Sequence, residues 1–164
     1  MPAFNQAANP ASLDDCHTQI HQQLLDLAAL SRHLDTVGID ATAQHMAHAI
    51  ETFFSSTSRQ HHAQEEKTLF PSWLSGANEA LAAAVRTLQQ DHGWIEENLL
   101  ELSPQLSAIA SGNNWFDMPE FQHGVEVFIA LYRQHMELED VLIDPQSRAK
   151  WLADTSQAPQ RVAA

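Results

Sequence analysis

The sequence predicts an all-α protein: an up-down-up-down four-helix bundle with an internal two-helix duplication and a short C-terminal helix. Three observations carry that expectation. Four long segments place apolar residues three and four positions apart, the period of helices with one buried face. The chain holds only five Gly and no long alternating Val/Ile/Thr run, so strands are not expected. The chain also repeats itself. His61 and His135 are 74 residues apart, as are Glu65 and Glu139, and 75 separate His17 from His92. Nearly the same offset pairs Ile20 with Ile95, Leu24 with Leu99, Leu25 with Leu100, Leu27 with Leu102 and Pro71 with Pro145. A repeat on this scale is one structural unit used twice.

Residues 1–11 read as a flexible arm on which Phe4 docks against the body. The bundle is expected over residues 12–145 and a short helix and tail over 146–164. Ser12 is the expected cap of the first helix, with Asp14 and Asp15 in its first turn, where the helix dipole favours acids. That helix runs to about Leu34 and stops near Gly38, with His17, Ile20, His21, Leu24, Leu27/Ala28 and Ser31 inward. The second begins near Asp40 and continues to about Leu74. Ile50, Phe54, Thr57/Ser58, His61, Glu65 and Leu69 form its inner stripe, and Pro71 bends or ends its last turn. After Ser75-Gly76 the third spans roughly Asn78 to Ala110. Val85, Leu88, His92, Ile95/Glu96, Leu99 and Leu102 face inward, and Pro104 is expected to interrupt and kink it. Ser111-Gly112-Asn113-Asn114 is a loop. Asp117 caps the fourth helix, with Pro119 and Glu120 in its first turn; Phe121, Val125, Phe128, Leu131/Tyr132, His135 and Glu139 point inward, ending near Asp144-Pro145. A tail helix around 148–153 covers the bundle end with Trp151.

Size and charge narrow the function classes. At 164 residues the chain is one domain with enough length for a genuine core. With 21 acidic against eight basic side chains, the formal charge is −13. That argues against nucleic-acid and anionic-membrane partners, which need a basic surface. Cys16 is the only cysteine, which excludes an intramolecular disulfide and Cys-rich zinc or iron–sulfur sites. No apolar run approaches the ~20 residues of a membrane span, and no basic start precedes an apolar segment. A soluble cytoplasmic protein is the expectation.

The chemistry-bearing residues fall on one level. In an up-down-up-down path, His17 and His92 lie early in rising helices and His61 and His135 late in descending ones. His61 and Glu65, like His135 and Glu139, are four residues apart and stack on one helix face. The set suits two metal ions, with His17 and His61 on one, His92 and His135 on the other, and Glu65 and Glu139 bridging. Imidazole and carboxylate without thiolate suit iron best, with manganese and zinc as competitors. His21 and Glu96 occupy matching places one turn beyond a ligand His. One of them, His21 first, is expected to complete one ion's shell and leave the other ion an open position; the alternative is a hydrogen bond to a bridging carboxylate.

His62 and Glu66 are expected at the stripe's edge or in solvent, and His33, His45, His48 and His123 on the surface. Cys16 reads as a packed thiol, and Trp94 and Tyr132 as core or pocket lining.

His17, His61-x-x-x-Glu65 followed by Leu-Phe-Pro, His92, and His135-x-x-x-Glu139 followed by Pro resemble the hemerythrin-like HHE cation-binding domain over about residues 12–145. The resemblance implies a four-helix bundle with a non-haem di-iron centre, oxo- or hydroxo-bridged, that in relatives binds O2 or NO. The chain departs from the respiratory members of that group in two places. Glu96 stands where they carry a second third-helix His, and Glu139 follows His135 at four residues where they space an Asp at five. Reversible O2 carriage is therefore not the expectation.

Three functions follow. The first is binding of O2 or NO for sensing, buffering or stress protection, in a dry pocket lined by Ile20, Leu24, Phe54, Ile95, Leu99 and Phe128. The second is a di-iron oxidoreductase acting on O2, peroxide or NO. The third is iron storage or donation. Ligand binding rather than turnover is the leading expectation.

Overall fold

The computed structural model describes residues 10–157; Phe4, the predicted arm up to residue 9, and the tail beyond Gln157 lie outside the described residues. Those residues are all helical apart from short connections. The elements are α1 (Pro10–Thr36), α2 (residues 41–74), α3 (Glu79–Ala110), α4 (Met118–Ile143) and α5 (Pro145–Gln157). α1 begins before the predicted cap: Pro10 opens it and Ser12 lies inside, so Asp14 and Asp15 are not in its first turn. Proline suits that opening position, where the missing N–H has no intrahelical partner to lose.

The connections follow from local chemistry. The His33 carbonyl accepts from Val37 and Gly38 N–H at the end of α1, with Gly38 at φ 89. A left-handed residue closes a helix this way, and glycine adopts it without a steric penalty. Asp40 then caps α2 by accepting from Ala43 N–H at 2.8 Å, and His33 Nε2 bonds the same carboxylate oxygen at 2.8 Å. His33 is thus half-buried between two helix ends, where a surface position is expected from the sequence. Asn78 caps α3 through Leu81 N–H, and Asp117 caps α4 through Glu120 N–H. α3 runs through Pro104 as one helix. The carbonyl that proline leaves without a donor belongs to Leu100, which is exposed, so water can satisfy it.

α2 is one rod with two π turns, Phe53–Thr57 and Glu65–Leu69, where Ser58 N–H reaches back to the Phe53 carbonyl and Phe70 N–H to that of Glu65. A π turn spends one additional residue per turn, so the inner stripe falls out of α-helical phase. Phe70, five residues after Glu65, is therefore fully buried, and Leu69, the residue predicted inward, is half-buried. Pro71 follows directly, and the short stretch Phe70–Leu74 ends the rod.

α1 packs on α2 and α4, and α3 packs on α2 and α4. α2 and α3 run antiparallel: Glu51 bonds Ser103, Arg59 bonds Glu96 and Glu66 bonds His92. Leu102 lies beside Gly124, and Asp91 beside His135, so α3 and α4 are antiparallel as well. Inside are two apolar clusters. The larger includes Leu24, Leu27, Phe54, Leu99, Phe121 and Phe128. The smaller gathers Phe70, Trp73, Val85, Leu88 and Leu142, with Trp151 of α5 packed on it. α5 is longer than the tail helix the sequence predicts. Between the clusters, each of α1 to α4 contributes buried polar residues, namely His17, Ser58, His61, Glu65, His92, His135 and Glu139.

The π turn makes a direct test. Phe70→Ala should destabilise the protein by about 3–5 kcal/mol and Leu69→Ala by much less, read by urea unfolding. The reverse order would mean that α2 keeps α-helical phase past Glu65.

Candidate metal centre

Side chains from four helices meet in the polar layer. Glu65 and Glu139 are both fully buried, and each spans two pairs of imidazoles. Glu139 Oε1 lies 3.0 Å from His17 Nε2, and its Oε2 lies 3.0 Å from His135 Nε2. Glu65 Oε1 lies 2.5 Å from His61 Nε2, and its Oε2 lies 3.0 Å from His92 Nε2. His17 and His61 bring their Nε2 atoms to 3.1 Å of each other. The six residues that the repeat singles out in sequence are therefore together in space.

Two groups emerge, each with donor atoms within 4.8 Å of one another: His17, His61, Glu65 and Glu139; and His62, Glu65, His92 and His135. His62 is the surprise, since the sequence reading sends it to the stripe's edge or solvent. Its ring stacks on His92 at a centroid distance of 4.0 Å, and its Nε2 lies 2.8 Å from the Tyr132 hydroxyl. The sequence signal for it was the adjacent pair His61-His62 beside a π turn, whose phase shift helical periodicity does not include.

The expected completing ligands lie elsewhere. His21 is exposed and belongs to neither group. Glu96 is held on the surface by Arg59, at 3.1 Å from its Nε. Both sit one turn past a ligand His in sequence, but each helix turns them to the flank of the layer. Trp94 is half-exposed, whereas Tyr132 is fully buried.

Outside the inner set a ring of acceptors holds the imidazoles by their other nitrogens. His17 Nδ1 lies 2.7 Å from Asp140, His92 Nδ1 2.9 Å from Glu66, and His135 Nδ1 3.4 Å from Asp91. Cys16 partners His61. None of these four was identified from the sequence as part of the site, yet they obey the repeat. Cys16 and Asp91 each precede a site His on the first helix of a unit, and Glu66 and Asp140 each follow a site Glu on the second. A carboxylate on Nδ1 fixes the tautomer and turns the Nε2 lone pair inward, a usual support for a metal-binding imidazole.

The donor set fits a metal. Glu65 Oε1 and Oε2, Glu139 Oε2, His92 Nε2 and His135 Nε2 are buried without a hydrogen-bond partner. They are close to each other but not aligned to share protons. Orphaned charged atoms in an apolar interior are costly. Around one cation the same spacing is natural, since bonds of about 2.1 Å set neighbouring donors about 3 Å apart. Nitrogen and oxygen donors with no inward thiolate suit iron, manganese or zinc.

A model of the hemerythrin HHE cation-binding domain matches residues 10–146. The chain belongs to that family. Searches of the curated proteins and of the solved structures find no significant match. Membership in a family of hemerythrin HHE domains agrees with the helical fold and with a cation as the occupant of the layer, without naming the metal.

Electrostatics decide how an HHE centre of this kind loads. Burial opposes charge on His17, but Asp140, Glu139 and Glu65 outweigh it and push the imidazole up to about 12. His61 and His135 rise to about 9, against burial, through Cys16 and Glu65 and through Asp91 and Glu139 respectively. Burial would raise Glu65, but Glu139 and three imidazoles hold it well below its ordinary value. His62 is pushed well below the ordinary imidazole by burial and by His92. Without metal, protons on the raised imidazoles balance the buried carboxylates. Metal must displace those protons, so lower pH strengthens the competitor.

Metal uptake should therefore release protons and be tighter at about pH 8 than at about pH 6. Calorimetry in two buffers of different ionisation enthalpy checks this, and a pH-independent isotherm contradicts it. Replacing both Glu65 and Glu139 by Ala removes the donor that the two groups share, Glu65, and the second carboxylate of the His17–His61 group, Glu139. Iron bound per chain should then fall to near zero while circular dichroism keeps its helical shape; undiminished uptake would place the metal elsewhere.

Proposed function

We propose that the four long helices form an up-down-up-down bundle around two non-haem iron ions, and that the centre binds a small diatomic ligand, O2 or NO, for sensing, buffering or stress protection. One observation carries the reading. Two carboxylates, each placed between two imidazole pairs, stand among buried donor atoms that have no hydrogen-bond partner. When bound, the irons would supply the electrons and the open position that a diatomic ligand requires.

The protein's own residues supply the rest. Glu65 and Glu139 would hold the ions together with the imidazoles, and their charge would offset that of the cations. His17 and His61 serve one position, and His92 and His135 the other. Asp140, Glu66 and Asp91 hold the rings in place. Ile20, Leu24, Phe54, Ile95, Leu99 and Phe128 are all buried below the layer and keep water from it. Such a surround favours small uncharged ligands over ions. Cavities of about 550 and 450 Å³ open beside His17 and beside His61, and they offer the ligand its approach. The smaller reaches Cys16 and Thr57; the larger reaches His21 and Asp140. No described helix is long and apolar enough to cross a membrane, and with one cysteine in the chain we place the protein in the cytoplasm.

Stopped-flow spectra of reduced, iron-loaded protein mixed with O2 or NO test the function. A stable charge-transfer band that reverses when the gas is removed is the expected result. Rapid irreversible oxidation that consumes reductant would make the protein an oxidoreductase. The absence of any band would make it an iron store or donor.

A further inference from the structure

The two cavities that flank the layer beside His17 and His61 have unlike walls. The larger, of about 550 Å³, offers a cation two carboxylates and two imidazoles: Asp140, Asp144, His17 and His21. The smaller, of about 450 Å³, offers Cys16 and the amides of Gln60 and Gln64 beside His61, with Asp15 the one carboxylate among its described residues.

The groups of the larger cavity stand in series with the inner donors. The Asp140 side chain is 51% exposed, and its Oδ1 lies 2.7 Å from His17 Nδ1. His17 is 4% exposed, and its Nε2 lies 3.0 Å from Glu139 Oε1. Beyond the ring, Glu139 Oε2 and both carboxylate oxygens of Glu65 are buried without a hydrogen-bond partner. One half-exposed carboxylate and one imidazole thus separate solvent from buried acceptors that require a cation. At the mouth, His21 and Asp144 are exposed. Asp144 accepts the Ser147 N–H at 2.8 Å, a bond to a neutral donor, and Arg148 of the same turn gives its guanidinium to the Leu142 carbonyl at 3.2 Å.

We propose that the larger cavity is the loading port of the centre, through which a hydrated divalent cation is drawn to Asp144 and His21, exchanges water for Asp140, and passes His17 to reach Glu139. The proposal rests on the two-ion reading above and adds the route by which the ions arrive. A cleft lined by one sign of charge raises the local concentration of the opposite ion and its rate of arrival. Carboxylate oxygens then take the place of water around a divalent ion. A cation on Asp140 competes with His17 Nδ1 for the same carboxylate, which loosens the ring that closes the layer. The smaller cavity, walled by amides and a thiol, exerts less pull on a hard cation.

Stopped-flow uptake of cobalt(II) by the metal-free full chain, followed by the absorbance of the bound ion, tests the port. Asp144→Asn combined with His21→Gln should lower the second-order rate constant by about 3- to 10-fold at about 10 mM salt. The final number of ions per chain should be unchanged, and the deficit should vanish at about 0.5 M salt. Asparagine keeps the helix cap at 144, and each substitution made alone should slow uptake in the same direction. Asp15→Asn removes the same charge at the smaller cavity and should change the rate by less than about 1.5-fold. Equal slowing by Asp15→Asn, an unchanged rate in the double variant, or a lower final stoichiometry in it would overturn the port and leave the two-ion reading intact. Wild-type protein that takes up no cobalt would overturn both.

Discussion

Two fully buried carboxylates, Glu65 and Glu139, set the terms for everything else in this molecule. An ionised carboxylate removed from water costs several kcal/mol unless charge and donors surround it. The fold answers with one imidazole-bearing segment on each of four helices, all at the level of the two acids. Outside them, Asp140, Glu66 and Asp91 bind the far nitrogens of three rings. Apolar clusters on both sides then deny the layer to bulk water. Taken without a cation, the arrangement leaves orphaned donors and clustered protons. Around a cation, spacings of about 3 Å between donors become ordinary.

Duplication explains how so short a chain builds such a layer. Each unit contributes one His from its first helix and a His–Glu pair from its second, and the outer partners repeat with them. Two of the places where the symmetry is broken lie beside the imidazoles. Cys16 stands where the second unit has Asp91, so His61 faces a thiol where His135 faces a carboxylate. Met136 stands where the first unit has His62. The first difference changes what a site ring faces, and the second puts a thioether where the first unit has an imidazole. The two groups of donors therefore share a frame but not the same set of side chains.

Much of this was legible in the sequence. The repeat and the helical period were enough to bring His17, His61, Glu65, His92, His135 and Glu139 to one level, because a four-residue step fixes which side chains stack. The cap at Asp117 was readable because a side-chain oxygen at that position has one job to do; Asp40 and Asn78 were read only as helix starts, and the cap expected at Ser12 lies inside α1. What escaped notice depended on departures from α-helical phase or on contacts between helices. The π turns in α2 exchanged Leu69 for Phe70. His21 and Glu96 stayed outside because a four-residue step still drifts by about 40° on an α-helix, enough to leave an inner layer. The outer partners were hidden for a different reason: Asp140, Glu66 and Asp91 bond across helices, and nothing local marks an exposed acid as one that reaches a buried ring.

The decisive measurement is an anomalous-difference map at the iron edge from crystals of iron-loaded protein. Two peaks should lie between Glu65 and Glu139, each about 2.0–2.2 Å from its nearest imidazole nitrogen and carboxylate oxygen. A single peak there, or peaks confined to exposed sites such as His45 and His48, would contradict the dinuclear centre.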